Sequence, residues 1–262
     1  MSALRSLLRL LGVYKIYEKW LEKQVRGGEM PRHVGVILDG NRRWAVRHGL
    51  KTWMGHRAGA EKVKDLLRWC HELGIKTVTI YTFSTENFNR PEEEKREIMR
   101  ILEEKIIEAM RSEDIHKRRI RIKFIGDMSM LDPSLVEKMR MLEDATKDYD
   151  GMIVNVAVAY GGKHEILTAT RRIAEKVLRG ELRPEDITYE VFQQHLYTSH
   201  LEHQDVDMVL RTGGEMRLSN FLLWQSAYSE LIFLDVYWPE FRKIDLMRAI
   251  RTYQKRHRRF GR

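Results

Sequence analysis

The stretch HVGVILDGNRRW, residues 33–44, ends an apolar run on one carboxylate, Asp39. It then sets Gly40, Asn41, Arg42 and Arg43 beside that acid. Two arrangements use these residue types. In one, Asp39 makes an ordinary ion pair or caps the segment that follows. In the other, the acid faces a divalent ion and the arginine forks take phosphate oxygens two at a time. Related groups follow three further apolar runs. Ser84, Thr85, Glu86, Asn87 and Arg90 follow TVTIYTF, and Tyr160, Gly161 and Gly162 close MIVNVAVAY. Arg211, Thr212, Gly213, Gly214 and Glu215 follow VDMVL, with Arg217 and Ser219 just after. Taken singly, a Gly-Gly pair is a turn and an arginine is a solvated rim charge. Taken together, they would gather Arg43, Arg90, Arg211 and Arg217 around a single acid. Like charges a few ångströms apart repel by at least ~1 kcal/mol per pair even in water. A ligand carrying diphosphate, bridged by a divalent ion on Asp39, would remove that repulsion.

Such a rim requires a sheet. Six segments read as buried strands: 33–38, 77–83, 120–126, 152–160, 206–211 and 230–235. Most are β-branched or continuously apolar, as strands covered on both faces are. Between them lie segments of helical period: AGAEKVKDLLRWCHELG with Gly74 as its stop, Pro91–Met110, Pro133–Thr146 and His164–Leu178. Pro91 suits a first helical turn. The alternation predicts an α/β fold, one domain with a central six-stranded, mostly parallel sheet flanked by helices. Ligands of such sheets bind beyond the carboxyl ends of the strands, where the polar groups above fall.

Residues 1–28 stand apart from the main domain, 29–262, as an N-terminal helical extension. Leu4, Leu7, Leu8, Leu11, Tyr14, Tyr17 and Leu21 recur at three- and four-residue steps, with Arg5, Arg9, Lys15 and Lys19 mostly opposite. The extension either packs on the body as an added helix or lies on a membrane surface as a basic amphipathic one.

The whole chain has 262 residues, 43% of them hydrophobic, enough for one full-sized domain. Its charged residues, 32% of the total, are spread along the length, which reads as solvated helix faces and not disorder. The net charge of +9 calls for an anionic partner. A nucleic-acid binder would need aromatics interleaved with a basic stripe, or a known module, and neither is evident. One cysteine, Cys70, forbids an internal disulfide and fits a reducing compartment. Arginines interrupt the leading leucines and no small-residue cleavage site follows, so the reading is not a signal peptide. No apolar run approaches the ~20 residues needed to span a bilayer. The expectation is a cytoplasmic protein, with membrane contact only at the periphery.

In order along the chain, HVGVILDGNRRWA, GHRAGA, YTFSTENFNRP, NVAVAYGG, RTGGEMRLSNFLLWQSAYSEL and DVYWPEF resemble the motifs of the cis-prenyltransferases, the undecaprenyl diphosphate synthase family. The resemblance runs from Met30 to Gly261. It implies Mg²⁺-dependent extension of an allylic diphosphate, farnesyl or geranylgeranyl, by successive cis condensations with isopentenyl diphosphate. The product would be a medium- or long-chain polyprenyl diphosphate, and the enzyme a homodimer. Carried over by motif, Asp39 is the aspartate engaging Mg²⁺ and diphosphate. Gly40, Asn41, Arg42 and Arg43 hold the allylic diphosphate, with Trp44 and His56 nearby. Ser84, Thr85 and Glu86 contact substrate. Asn87 belongs to the proton-removal step, with Phe88 and Arg90 beside it. Arg211, Arg217, Leu218 and Ser219 form the isopentenyl diphosphate site. Glu230 is tied to the metal, and Arg259 and Gly261 reach into a partner's site. A neutral amide is a poor base, so Asn87 fits the orienting of a proton path better than accepting the proton.

This sequence also departs from the pattern. Thr52 stands where bacterial members have arginine, with Lys51 adjacent to supply the charge. Arg42 replaces a frequent glycine, Phe88 a frequent tryptophan, and Met216 a metal-contacting histidine, so no metal role passes to Met216. The helix carrying Glu103, Glu104 and Lys105 is slightly longer than in bacterial members, which in the family goes with longer products. Together with the extension and the charge-rich composition, this points to an archaeal-type enzyme. Ile98, Ile101, Leu102, Ile106 and Met110 on that helix are candidates for the wall of an apolar tunnel. The other reading is a catalytically silent subunit that pairs with a synthase, but such partners lose the acid at Asp39.

Overall fold

The computed structural model describes residues 13–256. Its strands are β1 (His33–Ile37), β2 (Thr77–Ser84), β3 (Ile120–Ile125), β4 (Met152–Tyr160), β5 (Met208–Arg211) and β6 (Glu230–Phe233). Its helices are α1 (Val13–Arg26), α2 (Asn41–Arg47), α3 (Thr52–Glu72), α4 (Glu92–Met110), α5 (Glu113–Lys117), α6 (Pro133–Thr146), α7 (Gly162–Leu178), α8 (Tyr189–Gln193) and α9 (Lys243–Lys255). The strands form one sheet in the order β3-β4-β2-β1-β5-β6. All its pairings are parallel, more uniform than the mostly parallel sheet expected. All five residues of β1 are buried, which is why that segment is almost unbroken in its apolar character.

The order of strands locates the site. β1 and β5 are neighbours, but the chain leaves β1 toward β2 and leaves β5 toward β6, on opposite sides. A crevice opens between their carboxyl ends, where open parallel sheets take ligands.

α3 begins at Thr52, six residues before the segment read as helical. Gly55 and Gly59 lower helix propensity there, so local preference hides the first turns. The structure needs both. A Cβ on Gly55 would lie 2.0 Å from the Asn41 carbonyl oxygen, and one on Gly59 would lie 2.2 Å from Asn41 Oδ1. The two glycines make a flat strip on which the start of α2 rests. α4 starts one residue after Pro91, which takes the extended conformation just before the helix.

α1 packs against α9, with Leu21 and Val25 wholly buried. Gln254 Nε2 donates to the Val25 carbonyl at 2.7 Å, and Lys243 pairs with Glu22 at 3.1 Å. For residues 13–26 the helix is therefore part of the body. Leu4, Leu7, Leu8 and Leu11 lie outside the described residues. Among the described residues, no helix is long and apolar enough to cross a membrane.

Candidate active site

Asp39 follows β1 by two residues, and both of its oxygens are engaged. Oδ1 accepts the Gly40 N–H at 2.6 Å and faces Arg43 Nη2 at 3.3 Å. Oδ2 accepts Arg211 Nη2 at 2.7 Å. Gly40 holds φ +100°, a left-handed turn with Tyr237 packed where a side chain would go, so glycine alone fits it. The cap of α2 is thus Gly40, with no side-chain capping bond, and Asp39 is not the helix cap considered above. Arg211 is only 4% exposed. Its Nη1 also donates to the Arg217 carbonyl at 2.5 Å and Ser219 Oγ at 2.7 Å, while its buried Nε has no partner. Arg43 reaches Glu215 at 3.5 Å, and Glu215 in turn pairs with Arg217 at 2.5 Å.

The arginines converge, but not around one acid. Glu94, 7% exposed, lies under the rim: Arg90 Nη1 is 3.1 Å from its Oε1, His56 Nε2 3.2 Å and Arg42 Nε 3.6 Å. Glu94 was missed because it ends a run of three glutamates that reads as a solvated first turn. Its signal was the four-residue step from Arg90, which brings side chains together on a helix. Burial, then the neighbouring Arg90 charge, pushes the His56 pKa down despite Glu94.

Ser84 and Asn87 close the turn after β2. Ser84 Oγ accepts the Asn87 N–H at 3.2 Å, and Asn87 Oδ1 accepts the Ser84 N–H at 3.1 Å. The Asn87 side-chain oxygen already accepts one backbone N–H, and the remaining group, Nδ2, is a donor. This weighs against proton acceptance by Asn87.

Asn220, another residue the sequence reading passed over, ties three strand-end loops together. Its Nδ2 donates to Glu86 Oε1 at 2.7 Å, and its Oδ1 accepts the Lys163 N–H at 2.8 Å. Its carbonyl accepts the Gly162 N–H at 2.7 Å. Partial burial works against charge on Glu86, but its own backbone N–H, Asn220, Ser84 and Thr85 outweigh that and hold its pKa below the usual range. Ser219 and Asn220 both adopt positive φ, +49° and +64°, so this loop is held in a costly conformation by its bonds.

From this polar mouth a cavity of about 800 Å³ runs beneath α3 and α4, over the face of β1, β2, β4 and β3. Asp39, His56, Asn87, Arg90, Arg211 and Arg217 line one end. Ile98, Ile101, Leu102 and Ile106 line the apolar part, with Val63 and Leu67 from α3. Met110, the fifth tunnel candidate, does not line it and packs against the core.

Several expected residues lie off the cavity. Trp44 stacks on His48, with ring centroids 4.5 Å apart. Phe88 packs edge-on to Phe83 at 5.0 Å, and Leu218 joins a small apolar cluster. Thr85 donates to Glu86 at 3.2 Å. Lys51 is exposed ahead of α3 and Thr52 opens that helix. Glu230 lies apart from the other site residues of this chain. It is in register with Met208, three residues before Arg211, at the amino-terminal edge of the sheet. At ~3.3 Å per residue it sits at least about 10 Å from the rim, so it cannot share an ion with Asp39 of the same chain. It pairs instead with Arg256 at 2.7 Å. Met216 is 80% exposed. Arg259 and Gly261 lie outside the described residues.

Comparison with known proteins agrees with the geometry. Residues 37–261 match the undecaprenyl diphosphate synthase family model. The chain is 50% identical over 250 residues to a tritrans,polycis-undecaprenyl-diphosphate synthase (geranylgeranyl-diphosphate specific) of Methanocaldococcus jannaschii, covering 95% of this chain and 89% of that one. It is 51% identical over 250 residues to the protein of the same description from Methanopyrus kandleri, covering 95% and 92%. Among solved structures, the lavandulyl diphosphate synthase of Lavandula x intermedia, in complex with dimethylallyl diphosphate, superposes with a TM-score of 0.86 at 38% identity, covering 89% of this chain and 99% of that one.

Proposed function

This chain belongs to the undecaprenyl diphosphate synthase family, and we propose that it extends geranylgeranyl diphosphate to a product of undecaprenyl length. It is a cis-prenyltransferase, elongating an allylic diphosphate by condensation with isopentenyl diphosphate. The primer and product length are supported by the archaeal relatives, which carry that specificity at about half identity over nearly the whole chain.

One observation carries the site assignment: a cation-rich rim around Asp39 opens directly into an apolar cavity. The allylic diphosphate would lie at Asp39, Gly40, Asn41, Arg43 and Arg90, with its hydrocarbon in the cavity. The isopentenyl diphosphate would take Arg211, Arg217 and Ser219. Among the described residues no three acidic, histidine or cysteine side chains gather as a ready-made metal site. That suits Mg²⁺, which keeps several waters and binds through one or two carboxylates plus substrate phosphates. Asp39 is the one carboxylate bonded into the rim between Arg43 and Arg211, so it would hold the ion together with diphosphate oxygens. When bound, the ion would stabilise negative charge on the departing diphosphate.

The chain's own residues do the rest. Arg43 and Arg90 offer forks to the leaving group, which gains charge as the allylic C–O bond breaks. Arg211, fixed to Ser219 and to the Arg217 carbonyl, orients the second diphosphate so that the isopentenyl double bond faces the allylic carbon. Asn87 donates through Nδ2 and positions a phosphate oxygen, a better proton acceptor than any amide. Homodimer formation and membrane contact through residues 1–28 belong to the same proposal. The homodimer is supported by the family resemblance of RRFG at 258–261. Membrane contact is supported by exposed Ile16 and Trp20 beside Lys19 and Lys23.

The test is direct. With Mg²⁺ and isopentenyl diphosphate, geranylgeranyl diphosphate should be elongated in preference to farnesyl diphosphate, and a farnesyl preference would overturn the primer assignment. Asp39→Ala should cost at least ~10²-fold in turnover. Normal turnover in a folded Asp39→Ala protein would remove the assigned site.

A further inference from the structure

We propose that Tyr81 is a positioning residue for the isopentenyl diphosphate half-site. Its phenol holds the Ser219 loop in the place from which that loop aims the Arg211 guanidinium. This rests on the placement of isopentenyl diphosphate at Arg211, Arg217 and Ser219, and adds a residue behind them.

Tyr81 sits near the carboxyl end of β2, opposite Ile37 of β1 and Ala157 of β4. Just beyond it the pairing of β2 with β4 slips twice, between Tyr81 and Phe83 and again between Phe83 and Ser84. Such irregularities bend a strand and re-aim its side chains. The Tyr81 ring stacks on Phe221, with centroids 4.6 Å apart and planes 16° from parallel, and meets Tyr160 edge-on at 5.9 Å. These are the favoured arrangements of aromatic pairs. Phe221 and Tyr160 are both wholly buried, so the ring has fixed walls on two sides.

The hydroxyl on that ring joins two loops of the site. It donates toward the Ser219 carbonyl at 3.2 Å and the Tyr160 carbonyl at 3.3 Å, one proton shared between two acceptors. Ser219 in turn accepts Arg211 Nη1 at 2.7 Å through its Oγ. One residue thus separates the phenol from the fork assigned to the second diphosphate. Ser219, Asn220 and Leu222 all hold positive φ, +49°, +64° and +45°. Residues other than glycine stay in that region only when their surroundings impose it. The Tyr81 hydroxyl bonds the first of these residues and its ring packs on Phe221, so one side chain holds the strained segment at two points.

Tyr81 also lines the same cavity as Asp39, Asn87, Arg211 and Arg217. Burial, then the Glu86 charge, pushes its pKa up against the pull of Ser84 and Arg211, so the phenol stays a donor at neutral pH. The two carbonyls need a donor at that point. Phenylalanine there keeps the ring and removes only the donor.

The experiment uses the full-length enzyme with Mg²⁺, geranylgeranyl diphosphate and isopentenyl diphosphate. Tyr81→Phe should raise KM for isopentenyl diphosphate about tenfold, near the upper end for one hydrogen bond. KM for geranylgeranyl diphosphate should stay within about twofold. A purely structural role would lower the melting temperature without separating the two substrates in this way. Ser219→Ala should also raise KM for isopentenyl diphosphate, and adding Tyr81→Phe to it should cost no more than about threefold further, because both act through one fork. Unchanged KM for isopentenyl diphosphate in Tyr81→Phe, or equal rises for both substrates, would overturn the proposal. So would fully multiplicative effects in the double variant, since the phenol would then act without Ser219. Arg217→Ala tests the reading beneath: normal KM for isopentenyl diphosphate in that variant would mean that the half-site itself is misplaced.

Discussion

Gly59→Ala tests whether the strip on α3 positions the Asp39 carboxylate. The added methyl would stand 2.2 Å from Asn41 Oδ1 and 2.9 Å from Trp238 Cδ1, where ordinary contact begins near 3.4 Å. Asn41 must therefore retreat by about 1.2 Å, the difference between 3.4 and 2.2 Å. Trp238 is fully buried and donates to the Gly59 carbonyl at 2.8 Å, so it cannot yield first. The Asn41 side chain is tied to the Leu38 carbonyl at 2.8 Å, so the start of α2 moves as a piece and takes Gly40 and Asp39 with it. A misplacement of ~1 Å at reacting groups costs on the order of 10²-fold. Overpacking should cost about 1–3 kcal/mol of stability, a fall in melting temperature of roughly 2–4 °C for each kcal/mol. The assay is kcat/KM for isopentenyl diphosphate at saturating primer, with a melting curve beside it. A lowered melting temperature with kcat/KM within about threefold of wild type would refute the coupling, because the strain would then have been absorbed without reaching Asp39.

Two further outcomes are expected. Stability should fall as pH drops from about 6.5 to 4. Burial lowers the His33 pKa to about 4, and burial followed by the nearby Lys123 and Arg121 charges does the same for His200. The unfolded chain takes up protons near 6.5 that the folded chain refuses, so this contribution is whole above 6.5 and gone below 4. For wholly buried His33 it amounts to about 3 kcal/mol. Urea midpoints that stay level from pH 7 to 4.5 would contradict it. Asn220→Ala removes one bond to the Glu86 carboxylate and one to a backbone N–H, so kcat/KM for isopentenyl diphosphate should fall about 10–100-fold. Unaltered steady-state kinetics would show that the three loops hold their places without it.

The rim was legible in the sequence because its chemistry is local. Asp39, Arg90, Arg211 and Arg217 each sit within a few residues of a strand end, and a parallel sheet gathers strand ends by its topology. What stayed hidden depends on contacts between distant segments. Glu94 looks like one of three solvated glutamates until His56, from another helix, is laid against it. The first turns of α3 look non-helical because Gly55 and Gly59 serve packing against Asn41 and not helix propensity. Glu230 was assigned by motif alone, and the parallel register puts it at the opposite edge of the sheet from Asp39 of the same chain. Motifs carry residue types faithfully but say nothing of which end of a strand a residue occupies. The ion pairs between α3 and α4, Lys64 with Glu108 and Lys105 with Glu61, are invisible for the same reason, since no spacing within one helix predicts the face of the next.

The arrangement also constrains how elongation can be processive. Each added unit brings about five carbons into apolar surroundings, worth about 4 kcal/mol at ~0.8 per carbon. The tail therefore binds more tightly with every step, while the charged end must let go each time, because the diphosphate formed on the second substrate has to become the next primer. A head group crossing open water between two separate pockets would lose its contacts in transit. On the proposed assignment Arg211 would avoid that. One guanidinium is bonded at 2.7 Å to Asp39 and at 2.7 Å to Ser219, so a diphosphate moving from one proposed half-site to the other would stay within its reach. Burial fixes this fork in place, so on the proposed assignment a constant head-group position combines with a hydrocarbon held in the apolar cavity.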